Sequence, residues 1–296
     1  MYAQPKIAMF YDADKTLLPE YMPDTLLRHF GDDVEGFWSE VKDLENHLLS
    51  EGVNFQNEAL YTQVLLRKVR RRGDPLYRLS RDDLVQVGSD VGLFPGLPEY
   101  FGKLRDLVSS NDTYRAHGIS IDFYVVSSGL ADMLRGSSLS QAIPSDNMFG
   151  IEFSTNRNGV LDGIVHFMSF TEKTKFLYMV NKGVEIADIN RRVDELDRDV
   201  PLRNFVYSGD GPTDVPCFSI VNNGGGVTFA VYMDDRSFHN SFWLRMNDRV
   251  TFSCVADYRE GSDLFKKQSA VVDAIASRIV EARELRSSKG GFSPSH

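Results

Sequence analysis

Two carboxylates separated by one residue, Asp12 and Asp14, directly follow the apolar run Ile7–Tyr11. A short apolar run of this kind is typical of a buried strand, and parallel α/β sheets place their chemistry just past the carboxyl ends of such strands. A carboxylate at that point can attack phosphorus as a covalent nucleophile, and a second one in the same loop can transfer protons. The alternative is a structural turn, capped by Thr16, in which neither acid does chemistry.

Two further groups of polar residues lie at the ends of predicted elements. Ser127, Ser128 and Gly129 follow an apolar run of β-branched and aromatic residues, where a hydroxyl can donate a hydrogen bond to a substrate oxygen. Lys173 opens a helical pattern and can supply positive charge, although Lys175 competes for the same role. The structural interpretations are a polar strand end and an ordinary solvated lysine.

A last pair of acids follows the predicted strand Phe205–Tyr207. Asp210 and Asp214 are four residues apart, and Gly209 and Gly211 flank the first of them. Glycines let the backbone turn tightly, so both acids can approach a common point beside the strand end. The alternative interpretation is that they cap the turn and the helix that follow.

Taken in this order, the four motifs resemble those of the haloacid dehalogenase-like superfamily of phosphohydrolases, and the resemblance spans Ile7 to Val221. The helical segment after the first motif, the Phe94-Pro95-Gly96 return and a later hairpin resemble the phosphoserine-phosphatase-like branch, which carries a helical cap at this position. The resemblance implies a magnesium-dependent phosphomonoesterase.

The resemblance also implies roles for the acids. Asp12 would attack phosphorus and form an aspartyl-phosphate, and Asp14 would protonate the leaving oxygen and later take a proton from water. Mg²⁺ would be held by Asp12, the backbone carbonyl of Asp14 and Asp210, with Asp214 as a further ligand or as an orienting residue. Mg²⁺ suits this set because all the ligands are hard oxygens.

For the substrate, the resemblance implies that Ser127 binds a phosphoryl oxygen and that Lys173 offsets its charge. Ser128 and Gly129 belong to the same turn, and we expect them to bind substrate as well; Ser128 also competes with Ser127 for the phosphoryl oxygen. Phosphoserine phosphatases carry a substrate-binding glutamate shortly after the first motif, and we expect Glu20, which lies one position early, to bind substrate. The cluster 67–72 is either an anion-facing patch of the cap, in which no single residue matches the cap arginine of those enzymes, or a solvated helix end.

Hydrophobic periodicity predicts an α/β fold with a Rossmann-like, mostly parallel sheet as the core and an inserted all-helical cap. We expect the core to comprise residues 1–18 and 96–286, the cap residues 19–95, and a disordered tail residues 287–296. Strands are predicted, in chain order, over Ile7–Tyr11, Ile119–Val126, Phe205–Tyr207, Val227–Tyr232 and Val250–Val255. Helices are predicted over Val34–Ser50, Glu58–Arg72 and Arg81–Val91, and a hairpin between Asn147 and Met168.

The amino-acid composition limits the kinds of partner that this protein can bind. The 296 residues carry a formal net charge of −9, which argues against a nucleic-acid or anionic-membrane surface. No apolar stretch approaches the length of a membrane span, and the first residues lack the layout of a signal peptide. We therefore expect a cytoplasmic protein, with Cys217 and Cys254 as buried thiols. The expected partner is a small phosphorylated metabolite, and the oligomeric state is left open.

Two other functions use the same residues. A phosphomutase or phosphotransferase forms the same aspartyl-phosphate and passes the phosphoryl group to an acceptor other than water. A non-catalytic regulatory or binding protein could keep the fold without turnover. Dehalogenases of the superfamily lack the second acid, and its transport ATPases place a threonine there, so Asp14 argues against both.

Overall fold

The computed structural model describes residues 4–290. Its seven strands form one sheet in the order β4-β3-β2-β1-β5-β6-β7, and every neighbouring pair is parallel except β3 with β4. The strands are β1 (Lys6–Tyr11), β2 (Ser120–Leu130), β3 (Met148–Thr155), β4 (Leu161–His166), β5 (Phe205–Gly209), β6 (Val227–Tyr232) and β7 (Phe252–Val255). The predicted fold class, an α/β protein with a mostly parallel sheet, is confirmed.

Helices cover both faces of the sheet and fill the long connection after β1. They are α1 (Met22–His29), α2 (Val34–Ser50), α3 (Asn57–Arg70), α4 (Arg81–Gly88), α5 (Glu99–Ser109), α6 (Asp112–Ala116), α7 (Ala131–Gly136), α8 (Lys173–Lys182), α9 (Val215–Asn223), α10 (Asp235–Met246) and α11 (Asp263–Gly290). Among the described residues, no helix has both the length and the apolar character that crossing a membrane requires.

Strand β1 lies at the centre of the core. Because successive side chains of a strand point to opposite faces, Tyr11 and Phe10 reach different layers of helices. The ring of Tyr11 packs edge-on against Phe101 of α5, whereas Phe10 stacks within the sheet next to Tyr207, which in turn meets Phe218 of α9. All five aromatic side chains of this set are fully buried, as the continuous apolar run predicted for β1.

The position of β1 between β2 and β5 determines where chemistry can occur. The last residue of β1, Tyr11, pairs with Val125 of β2 and with Ser208 of β5, so β1 and β5 end at nearly the same level, beside the second half of β2. The chain leaves β1 toward β2 on one side, while β5 lies on the other. Loops at such a switch in strand order enclose a crevice, which is where open α/β sheets bind ligands.

Strand β2 does not end where the sequence predicted. It continues to Leu130, but its register against β3 shifts between Val126 and Leu130. Four residues of β2 advance over this stretch while β3 advances two, from Phe149 to Ile151. The irregular backbone lifts residues 127–129 out of the regular ladder, which is the common use of bulges beside active sites.

Helices α1–α4, here called the helical insertion, follow the first loop and return to the sheet through α5. The helices predicted over residues 34–50, 58–72 and 81–91 are present with small changes in their ends, whereas α1 was not predicted. The insertion is attached to the core at α4: Nε and one terminal nitrogen of Arg81 donate to the carboxylate of Asp132 on α7 at 2.7 and 2.8 Å.

The remaining predictions concern the hairpin, the cysteines and the tail. The predicted hairpin is present as β3 and β4, with Gly159 at a φ of 77° in its turn. Cys217 and Cys254 are buried free thiols, as expected. The predicted tail began at Ser287, but α11 continues to Gly290, and residues 291–296 lie outside the described residues.

Candidate active site

The loop after β1 fixes the first two acids. The backbone N–H of Asp12 donates to the carbonyl of Ser208 at 2.9 Å. This bond extends the pairing of β1 with β5 by one residue and holds Asp12 at the carboxyl end of the sheet. Lys15 then adopts a φ of 62°, in the left-handed region, and its N–H bonds to the carbonyl of Leu18 at 2.7 Å. Non-glycine residues in this conformation are strained, so they persist only where the surrounding structure compensates for the strain. They concentrate at functional loops.

The side chain of Asp14 points back toward the start of the helical insertion. Its Oδ1 accepts a hydrogen bond from the backbone N–H of Met22, the first residue of α1, at 3.1 Å. Asp14 thus connects the loop after β1 to the insertion. Its other carboxylate oxygen, Oδ2, and Oγ of Ser127 each lie 3.2 Å from the point where a Cβ on Gly129 would be.

Lys173 lies between two carboxylates. Its ammonium nitrogen is 2.9 Å from Oδ1 of Asp12 and 2.9 Å from Oδ1 of Asp214, and all three side chains are buried. The hydroxyl of Tyr207 also donates to Oδ1 of Asp214, at 2.8 Å. Lys175, the competing candidate, instead forms an ion pair with Glu172, the residue directly before α8. Of the two lysines, only Lys173 reaches the acids.

Three carboxylates come together at the carboxyl ends of β1 and β5. One oxygen each from Asp12, Asp210 and Asp214 lies within 4.8 Å of the other two, a spacing that one cation can bridge. All donors are carboxylate oxygens, which suits a hard ion such as Mg²⁺. Asp214 differs from the others because it is fully buried and already hydrogen-bonded, so it fits an orienting role better than a direct ligand role.

The acidic side chains of this cluster outnumber its one basic side chain. Burial raises the pKa of Asp14 to about 8, helped by the charge of Asp12, and raises that of Asp12 itself to about 6 despite the opposing charge of Lys173. Burial and the neighbouring acids also raise the pKa of Asp210 well above its usual value. Burial would lower the pKa of Lys173, but Asp12 and Asp214 raise it, so it stays charged. One lysine thus faces several carboxylates, and a divalent cation would offset the excess.

The serine of the second motif has its hydroxyl hydrogen available. Ser127 is buried, and its Oγ accepts a hydrogen bond from the N–H of Gly129 at 3.0 Å. This bond occupies an acceptor site of the hydroxyl and leaves its single hydrogen to be donated, and Ser127 lines the cavity. Ser128 also lines the cavity, and its carbonyl accepts from Tyr61, whereas Gly129 is buried and is not one of the lining residues.

Of the two glycines in the last motif, only Gly209 has a steric role. Neither Gly209 nor Gly211 has a positive φ; Gly211 has an extended φ of −158°. A Cβ on Gly209 would lie 2.3 Å from Oδ2 of Asp214, whereas one on Gly211 would meet no atom of the described residues within 4 Å. Gly209 is therefore a steric requirement for the position of Asp214, and neither glycine is needed for a left-handed backbone conformation.

Comparisons with known proteins show which fold this chain has. No protein-family model matches the chain. An uncharacterized protein of Borreliella burgdorferi is 28% identical over 277 residues, covering 88% of this chain and 94% of that protein. Among solved structures, a phosphoserine phosphatase in its apo form matches with a TM-score of 0.52 and 16% identity, over 90% of this chain and 99% of that one.

A second solved structure is a HAD family hydrolase from Salmonella enterica subsp. enterica serovar Typhi. It matches with a TM-score of 0.52 and 16% identity, over 85% of this chain and 67% of that one. The chain has the haloacid dehalogenase-like fold. At the level of fold, this confirms the resemblance that the four motifs predicted.

The HAD-like core and the helical insertion enclose a cavity of about 390 Å³ between them. The core contributes all four predicted catalytic residues and Ser128, together with Asp210. The insertion and the loop before it contribute mainly aromatic and polar side chains, and α10 contributes one amide. The lining residues beyond the predicted ones are Tyr21, Pro23, Trp38, Asn57, Glu58, Tyr61, Gly211, Pro212, Thr213 and Asn240.

Glu20, by contrast, is not brought to this cavity. It is about half exposed, forms an ion pair with Arg28 and lines a separate surface depression. The reason is local: α1 begins at Met22, and the chain entering it turns Glu20 outward. Within the HAD-like fold, the glutamate that does line the cavity is Glu58, from the first turn of α3.

The cluster 67–72 at the end of α3 is also away from the cavity. Lys68 pairs with Asp32 and Asp74, and Arg71 pairs with Glu40. The predicted solvated helix end describes Arg71 better than an anion-facing patch does, whereas Lys68 is buried in its ion pairs and is not solvated. Sequence reasoning missed Trp38 and Glu58, which line the cavity from two different helices of the insertion, and the periodicity of those helices gave no signal for either residue.

Proposed function

We propose that the protein is a magnesium-dependent phosphatase that hydrolyses a small phosphomonoester through an aspartyl-phosphate on Asp12. The observation that carries the proposal is the convergence of Asp12, Asp14, Ser127 and Lys173 on one cavity beside the carboxylate cluster. Carboxylates, one fixed lysine and a hydroxyl donor are what phosphoryl transfer needs, since its catalysis consists mainly of positioning and charge compensation. The HAD-like fold supports the same conclusion.

In the first step, an oxygen of Asp12 attacks phosphorus and the bond from phosphorus to the ester oxygen breaks. Asp14 supplies the proton that the leaving alkoxide needs; its raised pKa, about 8, keeps it protonated near neutral pH. Lys173 holds Asp12 in place by the 2.9 Å ion pair and faces the phosphoryl oxygens with its positive charge. Ser127 donates its hydroxyl hydrogen to one of those oxygens.

In the second step, water attacks the phosphorus of the aspartyl-phosphate and the bond to Asp12 breaks. Asp14, deprotonated by the first step, accepts a proton from this water and returns to its starting state. The products are the alcohol and inorganic phosphate. Each proton released in one step is consumed in the other, so Asp14 serves as acid and base in turn.

The metal would be held by Asp12, Asp210 and the backbone carbonyl of Asp14, with Asp214 orienting Lys173 or adding a ligand. When bound, Mg²⁺ supplies positive charge between the anionic nucleophile and the anionic phosphoryl group. The expected partner remains a small phosphorylated metabolite, and the cytoplasmic location remains a prediction.

The test compares two variants on p-nitrophenyl phosphate with Mg²⁺. This ester leaves as a weakly basic phenolate, so its first step needs little help from an acid. Asp12→Asn should lower turnover at least about a thousandfold and give no burst of nitrophenol. Asp14→Asn should release about one nitrophenol per active site and then stall, because the second step lacks its base.

Three results would contradict the proposal: no hydrolysis by the wild type, hydrolysis that survives excess chelator, or activity retained in Asp12→Asn. Inorganic phosphate as the phosphorus product distinguishes a hydrolase from a phosphotransferase, which would accumulate the phosphorylated acceptor instead. The absence of any turnover would favour the non-catalytic alternative.

A further inference from the structure

The cavity wall that the helical insertion provides consists of aromatic rings and a carboxylate. The rings of Tyr21 and Trp38 have their centroids 6.1 Å apart, and those of Trp38 and Tyr61 are 6.3 Å apart. All three residues line the cavity, next to Glu58. Ring faces carry negative electrostatic potential, so such a wall attracts positive charge rather than a neutral or anionic group.

Two hydrogen bonds fix the orientation of these rings. The indole N–H of Trp38 donates to Oδ1 of Asp24 at 2.7 Å, and the hydroxyl of Tyr61 donates to the carbonyl of Ser128 at 2.9 Å. The polar atoms of both rings are thereby satisfied within the protein. What these side chains offer a ligand is therefore their faces.

Glu58 supplies the formal charge of this wall. Its Oε2 is buried and has no hydrogen-bond partner among the described residues. A buried carboxylate oxygen without a partner is costly, because it has lost its hydration and gained nothing in return. A positively charged, hydrogen-bonding group in the cavity would remove that cost.

The cavity has no free cation for a substrate carboxylate. Lys173 is the only lysine or arginine among the lining residues that the structure describes, and it is already held by Asp12 and Asp214. Lys15 covers one face of Tyr21 from outside, with its nitrogen 4.7 Å from the ring centroid, and donates to the carbonyl of Pro19 at 2.8 Å. A substrate with a carboxylate beside its phosphate would therefore meet Glu58 without a counter-charge.

We propose that the substrate is the phosphomonoester of an amino alcohol or a quaternary-ammonium alcohol, and that Glu58, Trp38 and Tyr61 bind its positively charged nitrogen. This inference rests on the proposed phosphatase function and names the substrate class of the same site. The phosphate lies at the Asp12 end, where Lys173 and Ser127 meet it, and the cationic nitrogen lies at the insertion end. Charges of opposite sign on the two ends of a short substrate thus match the two ends of the cavity.

The first experiment measures kcat/KM for matched pairs of substrates. Phosphocholine is compared with its carbon isostere, in which a tert-butyl group replaces the trimethylammonium group, and O-phosphoethanolamine is compared with propyl phosphate. We expect the cationic member of at least one pair to be favoured about tenfold or more, and the pair that shows it distinguishes quaternary from primary ammonium. Phosphoserine should be hydrolysed less well than O-phosphoethanolamine. Equal rates within both pairs would overturn the proposal.

The second experiment tests whether Glu58 is the source of that preference. In Glu58→Gln, the ratio of kcat/KM between the cationic and neutral substrates should fall about tenfold, toward one. Glu35→Gln removes the same charge from an exposed position in the first turn of α2 and should leave the ratio unchanged. An unchanged ratio in Glu58→Gln, or an equal fall in Glu35→Gln, would contradict the assignment.

A binding measurement separates this inference from the proposed function. The chain has two tryptophans, and in a Trp243→Phe background the fluorescence of Trp38 reports on the cavity. Choline or ethanolamine should quench it in protein with Glu58 and not in Glu58→Gln. Quenching without any turnover would refute the phosphatase and keep the cation site, whereas turnover without quenching or preference would refute the cation site alone.

Discussion

The ammonium nitrogen of Lys173 lies 2.9 Å from Oδ1 of Asp12, and both side chains are almost completely buried. The same nitrogen is equally close to Asp214, so one cation stabilises two carboxylates in the protein interior. This arrangement makes Lys173 part of the fold as well as part of the proposed chemistry. Its loss would leave two buried charges without a partner.

A first prediction contrasts Lys173 with its neighbour Lys175. Lys173→Met should lower the free energy of unfolding by about 3–5 kcal/mol and abolish turnover, since removing one partner of a buried ion pair strands the other. Lys175→Met should cost less than about 1 kcal/mol, because its pair with Glu172 is near the surface. Urea denaturation followed by circular dichroism measures both.

The double variant Lys173→Met/Asp214→Asn guards against a simple packing effect. If the loss comes from the unpaired charge, this variant should be more stable than Lys173→Met alone. Equal stability of the single and double variants would mean that the volume of Lys173, and not its charge, matters.

The sequence predicted the parts of the site that depend on local signals. An apolar run ends at Tyr11 and acids follow it, and parallel strands bring their carboxyl ends together, so Asp12 and Asp210 could be placed near each other without coordinates. The start of α8 at Lys173 was predicted correctly from the helical pattern that begins there. These inferences need only strand order and helix periodicity.

The parts that could not be predicted depend on how the helical insertion packs. Glu58 and Trp38 come from different helices, and nothing in the periodicity of either says which face meets the core. Glu20 illustrates the opposite error: it is close to Asp14 in the chain, but the start of α1 turns it to Arg28. The steric role of Gly209 was equally hidden, since it depends on a contact with Asp214 across a turn.

A second prediction uses the two glycines of the last motif as a matched pair. Gly209→Ala places a Cβ within 2.3 Å of a carboxylate oxygen of Asp214 and should cost about 1–3 kcal/mol in the free energy of unfolding, together with most of the turnover. Gly211→Ala meets nothing within 4 Å and should fold and turn over nearly as the wild type does. Similar effects of the two substitutions would contradict the steric explanation.

A third prediction concerns the stability of the metal-free protein. The pKa of Asp14 is raised to about 8 in the folded state, above its unfolded value, so the folded protein binds the additional proton. Stability in chelator should therefore fall as the pH rises from 6 to 8, on the order of 1 kcal/mol from this group, which is partly exposed to the cavity. Asp14→Asn should flatten this part of the profile. Urea midpoints at pH 6 and pH 8 measure this fall in stability, and an equal fall in the variant would contradict the assignment.

The last prediction concerns motion of the helical insertion, because the two proposed steps need water first excluded and then admitted, which a moving lid can provide. The helices of the insertion are not all attached to the core in the same way. A Cβ on Gly88 of α4 would lie 2.4 Å from the carbonyl oxygen of Met133, and one on Gly136 of α7 would lie 1.9 Å from that of Val85, so the two backbones are in direct contact. Helix α2, by comparison, packs on α1 and α3.

We therefore expect motion in residues 34–62 and none in α4. Hydrogen exchange with and without Mg²⁺ and a phosphate-mimicking fluoride complex should show added protection at Trp38 and Tyr61, which line the cavity, and unchanged exchange across residues 81–88. Equal added protection in α4 would mean that the insertion closes as one rigid body. Unchanged exchange throughout the insertion, in protein shown to bind the mimic, would rule out a lid, because closure over a cavity must alter the exposure of the residues that line it.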